Sequence, residues 1–431
     1  TTIVNNGTQT GFGRTGTVDW QTTPKTATFT AVSGEGYFAN TSGGALTVTL
    51  PASPSGGDIV SIADYTRTFT TNNCTIGRNS EPIGGIAEDA ILNVNGQSAT
   101  FVYVDGTEGW INVQETQTSQ TGAVNFLAAT GGTITCCGDY KIHTFTGPGT
   151  FCVSQISSIC SSRNLVSYMV VAGGGSGGRD GGGGGGAGGY RSAGYGPSPL
   201  QGSALPITVT GYPITVGGGA ASVPGGASPA LGSVGLQGSN SVFSTIASAG
   251  GGGGNSCDGG VPSAKNGGSG GGAAGPNSPG NNFGTGNTPP VSPSQGFPGG
   301  DGNSGCGGYN RAGGGGGATA VGSNGTGSNG GTGGAGAPNA ITGSAISYVG
   351  GGGGAGYDTG PTVGGNGGAG GGGPAGRAPN ASGQPDGSGN PGTVNTGGGG
   401  GGSMQASGLP SSATPSGAGG SGIVIIRYKF Q

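Results

Sequence analysis

Six consecutive glycines, Gly181 to Gly186, stand inside the stretch GGGSGGRDGGGGGGAGG (Gly173 to Gly189). No other feature constrains the fold as strongly. A glycine run loses the most backbone entropy on folding and brings no side chain to bury. Taken alone it reads as a flexible linker. The alternative is an arrangement in which backbone packs directly on backbone. The residues around the runs decide between the two.

The runs recur, near Gly173, Gly181, Gly217, Gly250, Gly267, Gly299, Gly313, Gly330, Gly350, Gly364 and Gly397. Of 115 glycines, 22 precede residue 151 and the remaining 93 fall between Gly173 and Gly422, a sharp compositional boundary. No strict Gly-X-Y period holds, which excludes collagen. Only 7% of residues are charged, whereas disordered chains are held open by charge. Apolar, strand-like segments bracket the runs: VSYMVVAGGG (Val166 to Gly175) leads into the first, and SGIVIIRYKF (Ser421 to Phe430) follows the last. Weaker candidates lie between, in LPITVTGYPITVGGG (Leu205 to Gly219), SVFSTIAS (Ser241 to Ser248) and AISYVGGG (Ala345 to Gly352). A linker needs no such bracketing.

Before the boundary, short segments alternate with period two: TATFTAV (Thr26 to Val32), ALTVTLP (Ala45 to Pro51), DIVSIAD (Asp58 to Asp64), TFTTNNCTIG (Thr68 to Gly77), AILNV (Ala90 to Val94) and SATFVYV (Ser98 to Val104). Gly/Asn turn signals separate them. This pattern predicts an antiparallel sandwich or barrel, closed by GWINV (Gly109 to Val113) with Trp110 as a core or interface anchor. The expected organisation is a β-domain over 1–116, a polar connector over 117–138 and a glycine-rich domain over 139–431. In the last, strands at 139–172 and 421–430 flank the runs of 173–420. Helical periodicity is absent, so the fold class is all-β.

TSGGALTVTLPASPSGGDIVSIADY (Thr41 to Tyr65), followed by FVYVDGTEGWINV (Phe101 to Val113), resembles a β-domain recurrent in tail fibres of marine and freshwater phages. The resemblance implies a structural module, commonly trimeric. HTFTGPGTF, YMVVAGGG, PITVGGG, VFSTIASAGGGGG and GGSGIVIIRY, in that order, resemble the glycine-rich domain of many phage tail proteins. A similar arrangement occurs in the extracellular domain of some animal receptor tyrosine kinases. That family implies a β-sandwich carrying a bundle of polyproline-II (polyglycine-II) helices. Such a helix has three residues per turn, rises ~3.1 Å per residue and makes no internal hydrogen bonds. Its N–H and C=O groups point outward, so helices side by side bond laterally, and glycine is required wherever a neighbour lies close.

Charge and motifs narrow the function classes. Net charge is −3 and no basic cluster is present, which argues against nucleic acid. No apolar stretch reaches transmembrane length, so membrane insertion is not expected. Matches to Gly-x-Gly-x-x-Gly are plentiful but none sits between a strand and a helix, and no GK[ST] occurs, so no nucleotide cofactor is expected. His143, the one histidine, lies in the strand KIHTF and reads as structural. Asp105 with Glu108, and Glu81 with Glu88 and Asp89, are close in sequence but sit in turns and read as solvated turn residues, not a glycosidase pair. Asp258, Asp301 and Asp358 lie in Gly/Asn loops without a calcium repeat, so no metal is expected. Seven cysteines, an odd number at low density, imply no disulfide framework. Cys136 or Cys137 with Cys152 or Cys160, and Cys257 with Cys306, remain candidate pairs.

The loops between runs are the better binding candidates, since a rigid scaffold presenting loops builds a recognition surface. Their aromatic and charged residues are Tyr190, Tyr195, Phe283, Phe297, Tyr309, Arg311, Tyr357 and Asp358. Tyr and Arg are enriched in binding hot spots. Each aromatic could equally cap the bundle or pack on the sandwich. The phage resemblance implies a non-enzymatic adhesin on the virion, in which distal loops touch a host glycan or outer-membrane protein. It also implies a homotrimer bound to other tail proteins. The rival readings are a purely structural fibre or fibril subunit, an ice-binding protein and, least expected, a hydrolase.

Overall fold

A computed structural model describes residues 18–114, 126–157, 161–225, 234–257, 263–275, 282–305, 309–327, 329–356, 363–377, 387–404 and 414–431. The chain is all-β and divides into two compact units, with the change between Phe126 and Leu127. No helix among the described residues is long and apolar enough to cross a membrane.

Among the described residues the first unit has nine strands: β1 (Asp19–Lys25), β2 (Phe29–Thr30), β3 (Glu35–Ala39), β4 (Leu46–Thr49), β5 (Ile59–Asp64), β6 (Cys74–Gly77), β7 (Ala90–Leu92), β8 (Ser98–Tyr103) and β9 (Trp110–Asn112). They form two sheets, β1-β3-β5-β8-β9 and β2-β4-β6-β7. The expected antiparallel arrangement is corrected here. β1 pairs β3, β3 pairs β5, β2 pairs β4 and β4 pairs β6, all in parallel. From β1 to β6 successive strands alternate between the sheets, so strands adjacent in one sheet are joined by a crossover through the other and must run in the same direction. Only β7, β8 and β9 add antiparallel partners. Alternation places Val48, Leu50, Val60, Ile62, Phe101 and Trp110 in one fully buried core. Trp110 is thus a core anchor.

The second unit begins inside the expected connector. β10 (Ala128–Thr130) and β11 (Thr133–Cys137) are strands, too short and too polar for alternation to reveal. Gly131 and Gly132 between them take φ of +111° and +63°, which β-branched neighbours could not adopt. This turn carries the chain from one sheet to the other. β12 (Tyr140–Phe145), β13 (Gly149–Gln155) and β14 (Leu165–Val171) follow. After the first glycine runs come β15 (Tyr190–Ala193), β16 (Leu205–Pro206), β17 (Gly211–Thr215), β18 (Ser241–Phe243) and β19 (Ile246–Ser248). Two hairpins, β20 (Asn303–Gly305) with β21 (Tyr309–Arg311) and β22 (Ala337–Asn339) with β23 (Ile346–Tyr348), precede the last strand, β24 (Ile423–Lys429).

The sheets β10-β13-β17-β18-β19 and β11-β12-β24-β14-β15, the latter with β16 paired to β14 as its sixth strand, enclose Phe151, Phe243, Tyr168, Val424, Ile426 and Tyr428. The opposite face of the second sheet, with Met169, Val171, Ile423 and Ile425, packs on Ala187, Ile341, Tyr348 and Val349. β24 is therefore covered on both faces, which explains its unbroken apolar run. It lies between β12 and β14, so the glycine-rich stretch is one long insertion between two neighbouring strands.

Within that insertion the run Gly182–Gly189 is a rod whose hydrogen bonds repeat every third residue. The N–H groups of Gly182, Gly185 and Gly188 donate to the carbonyls of Ser403, Gly400 and Gly397, at 3.1, 2.8 and 2.8 Å. Those of Gly183, Gly186 and Gly189 donate to Asn255, Gly252 and Ala249, at 2.9, 2.7 and 2.7 Å. Those of Gly184 and Ala187 donate to Gly313 and Gly316, both at 3.0 Å. The carbonyls turn to three further rods. They accept from Gly352 and Ala355, from Gly175 and Gly178, and from Ser269 and Gly272. A three-residue turn gives three donor and three acceptor directions, so each central rod is hydrogen-bonded to six neighbours. A Cβ on Gly183 would collide with the carbonyl of Gly272, and one on Gly184 with that of Gly352. Peripheral rods relax the rule on their open side. Asn329, Thr332 and Ala335 are exposed, as are Val363, Asn366 and Ala369, each separated from the next by two glycines.

The thiols of Cys74, Cys136, Cys137 and Cys152 are free. Cys136 or Cys137 does not pair with Cys152, because β11 and β13 belong to different sheets. Cys160 and Cys306 lie outside the described residues. The Cys257 thiol donates to the carbonyl of Gly181 at 3.6 Å.

Candidate functional site

The rods have two unlike ends. At the near end, levels with Gly188 and Gly189, they run into β14, β15, the β18–β19 hairpin, the β22–β23 hairpin and β24. The far end is marked by the turn Arg179-Asp180-Gly181, which joins two antiparallel rods. Asp180 and Gly181 take φ of +49° and +64°. Arg179 Nε lies 3.5 Å from Asp180 Oδ2, with both side chains 3% exposed. A buried pair of this kind holds one geometry, because separating either charge leaves the other uncompensated.

Neighbouring rods finish at the same level. Ala355 donates to Gly182, Ser403 to Gly178, and Gly183 to Asn255. Gly376 reaches the same layer through Gly402, and Val223 through Ser416. The chain leaves the bundle here after residues 225, 257, 275, 305, 356, 377 and 404. The segments continuing from these points, 226–233, 258–262, 276–281, 306–308, 357–362, 378–386 and 405–413, lie outside the described residues. Among the described residues, the chain thus departs from one end of a backbone-cored rod array at seven points.

The eight candidate residues separate by position. Tyr190 belongs to the near end, in β15. It is 1% exposed and its hydroxyl accepts a hydrogen bond from Asn339 Nδ2 at 2.7 Å. Burial withdraws it from any partner. Tyr195, also at the near end, is half-buried, with its ring 4.5 Å from the Arg427 guanidinium. The Tyr140 ring lies 4.5 Å from the same guanidinium, and Arg427 Nη1 donates to the Ile341 carbonyl at 3.0 Å. Arg427 drew no attention in the sequence because GIVIIRY reads as a simple apolar strand. It clamps the loop after β22 to the sheet, and Tyr195 serves that clamp. Phe283 and Phe297 are half-buried on rods, and the Phe297 N–H donates to Gly317 at 3.0 Å. Tyr309 and Arg311 occupy β21, at the far end, where Arg311 opens the rod through Gly313. Tyr357 and Asp358 lie outside the described residues, directly after the far-end residue Gly356.

The remaining polar candidates are accounted for by structure. His143 is fully buried. Its Nδ1 lies 2.7 Å from the Gly131 carbonyl and its Nε2 3.3 Å from the Tyr428 hydroxyl, which accepts from the Ala129 N–H. A proton on Nδ1 satisfies this chain with a neutral ring. Burial holds the imidazole below its usual value, against the opposing pull of the Gly131 bond. Burial likewise pushes the Tyr428 phenol up to about 12. Asp105 accepts the backbone N–H groups of Thr107 and Glu108, which hold its carboxyl below the usual range. Glu81 accepts the Tyr103 hydroxyl and Asp89 the Arg78 N–H. Among the described residues no three His, Cys, Asp or Glu side chains are grouped to hold a metal.

A comparison with curated proteins gives no match. A protein-family model described as a glycine-rich domain matches residues 146–429, from the strand turn before β13 through β24. The matched span covers about two thirds of the chain and contains the inserted bundle together with its closing strand, so the chain belongs to this glycine-rich domain family.

Proposed function

We propose that the chain is a non-enzymatic attachment protein of a phage tail fibre, exposed on the virion, whose far-end loops bind a molecule of the host surface. The observation that carries this reading is that the described chain leaves a rigid bundle at seven points of one end, with the other end built into a sandwich. A scaffold of this kind holds loops of unrelated sequence in fixed relation, as recognition of a glycan or outer-membrane protein requires. Tyr309, Arg311, Tyr357 and Asp358 carry the contact in this proposal, while Tyr190 and Tyr195 are excluded from it. The first unit joins the chain to other tail proteins and to two further copies in a homotrimer. No cofactor, nucleic acid or membrane insertion enters the proposal.

The test is binding of the fluorescently labelled, purified protein to intact candidate host cells, with competition against infection. The expected result is saturable binding that Arg311→Ala and Asp358→Ala weaken and that blocks infection. Binding to no host, with the chain located on the particle away from the tail tip, would favour a purely structural fibre. Freezing hysteresis in place of cell binding would favour an ice-binding role.

A further inference from the structure

Among the described residues β11 forms the outer edge of the six-stranded sheet and pairs only with β12, over five uninterrupted register positions from Thr133–Thr144 to Cys137–Tyr140. Among the described residues no hydrogen bond reaches its outward N–H and C=O groups. Folded proteins blunt such edges with charge, proline, bulges, short length or a cover. The other edges of this unit follow that rule. β15 is bridged by Gln201 at Ser192, β10 has a register shift at Ala128/Ala129, and β19 is three residues long. β11 has none of these devices. The stretch Gly131 to Gly138 has no charge and no proline. Four of the strand's five residues are exposed, with Ile134 43% exposed and the Cys136 thiol free.

We propose that β11 is a strand-addition edge whose occupant is β11 of a second copy of this chain, antiparallel about a two-fold axis through Thr135. That axis gives each of the five residues a partner: Thr135 meets Thr135, Ile134 meets Cys136, and Thr133 meets Cys137. An isologous pair of this kind is self-complementary by symmetry. An uncharged TITCC edge offers nothing by which to select a differently charged foreign strand, whereas threonine opposite threonine is a favourable cross-strand pair. Ile134 and Cys136 pair with His143 and Lys141 of β12, on the face of the sheet that looks into the sandwich. Pairing therefore extends the apolar layer of each copy over the exposed Ile134 of the other. The main-chain bonds supply affinity and the side chains fix register, as in other cases of strand addition.

The two Cys136 thiols would lie on one face, two positions apart, roughly 7–8 Å from each other. The test is crosslinking of the purified full chain with a short bis-maleimide of that reach, followed by peptide mapping and by sedimentation over a concentration series. A Cys136–Cys136 link between copies and concentration-dependent doubling of mass are expected. Ile134→Lys and, independently, Thr135→Lys should reduce both to background while leaving the melting profile unchanged. Both sites are exposed, so folding tolerates the lysines. A mass that does not double with concentration, links confined to other cysteines, or doubling that survives both lysines would overturn the proposal. No host cell is involved, so this outcome is separate from that of the attachment reading.

Discussion

At the scale of single residues the glycines divide into those with a neighbour on every side and those without. Gly183 faces the Gly272 carbonyl, while Gly218, in another rod, has nothing within 4 Å of where a Cβ would stand. The same substitution should therefore have opposite consequences. Gly183→Ala forces rods apart and should cost about 3 kcal/mol or more, in the range of overpacked cores. Gly218→Ala should change stability by no more than about 1 kcal/mol, in the stabilising direction, by restricting the unfolded chain. Denaturant titration of the two variants measures both. His143 is a second residue with a defined signature. Its imidazole is held below the usual 6.5 by burial, so below 6.5 the unfolded chain takes up a proton that the folded chain refuses. The histidine's contribution is fully present above 6.5 and is lost as pH falls through the window beneath it. The melting temperature of the natural protein should drop between pH 7 and 5 more steeply than that of His143→Gln. Parallel curves would show that the buried ring does not titrate.

At the scale of elements the rods stand apart from strands and helices. The rod Gly182–Gly189 has one side-chain carbon, the methyl of Ala187, yet it is buried throughout. Its order comes from lateral hydrogen bonds to six neighbours, each worth about 1 kcal/mol net, and from close backbone contact. Amide exchange separates this from a linker. The amides of Gly182 to Gly188 should exchange only with cooperative unfolding of the unit, whereas linker amides exchange in an unprotected manner. Fast exchange across this segment would contradict the lattice. The β-strands show the complementary rule. β24 was legible because both of its faces are apolar, and β14 because it ends in SYMVV. β10 and β11 were not legible, since three and five residues of Ala, Thr and Cys with a single Ile, Ile134, contain too little alternation. Tyr190 and Tyr195 looked like loop aromatics because the glycines around them imitate loops, yet one is a strand residue and the other half of a guanidinium clamp.

For the whole molecule, two units with separate cores imply two unfolding events. Calorimetry should resolve two transitions, and Gly183→Ala should lower one and leave the other unmoved. A single transition shifted as a whole would mean that the two cores unfold as one. The units also differ in what stabilises them. The first buries a core of Leu, Val, Ile, Phe and Trp. The second has a conventional sandwich core and, beyond it, a bundle with almost no apolar side chains. Hydrophobic stabilisation weakens on cooling, so the two transitions should respond differently to temperature and denaturant.

Sequence alone determined that the chain is all-β, that its glycines lie in one bounded stretch, and that apolar strands bracket them, because period-two alternation, turn residues and composition are local properties. The three-residue geometry of an extended glycine rod, and the need for glycine at every crowded position, follow from the same local chemistry. The partners of each rod did not follow, because glycines carry no side chains by which one run could be distinguished from another. Only the tertiary structure decided that Gly184 meets Gly313 and Gly272, that the first unit is built with parallel strands, that β24 closes the slot between β12 and β14, and that the described rods end together at one level. Each of these is a choice among neighbours that are distant in the chain, fixed by the simultaneous satisfaction of backbone groups, which no single segment can express.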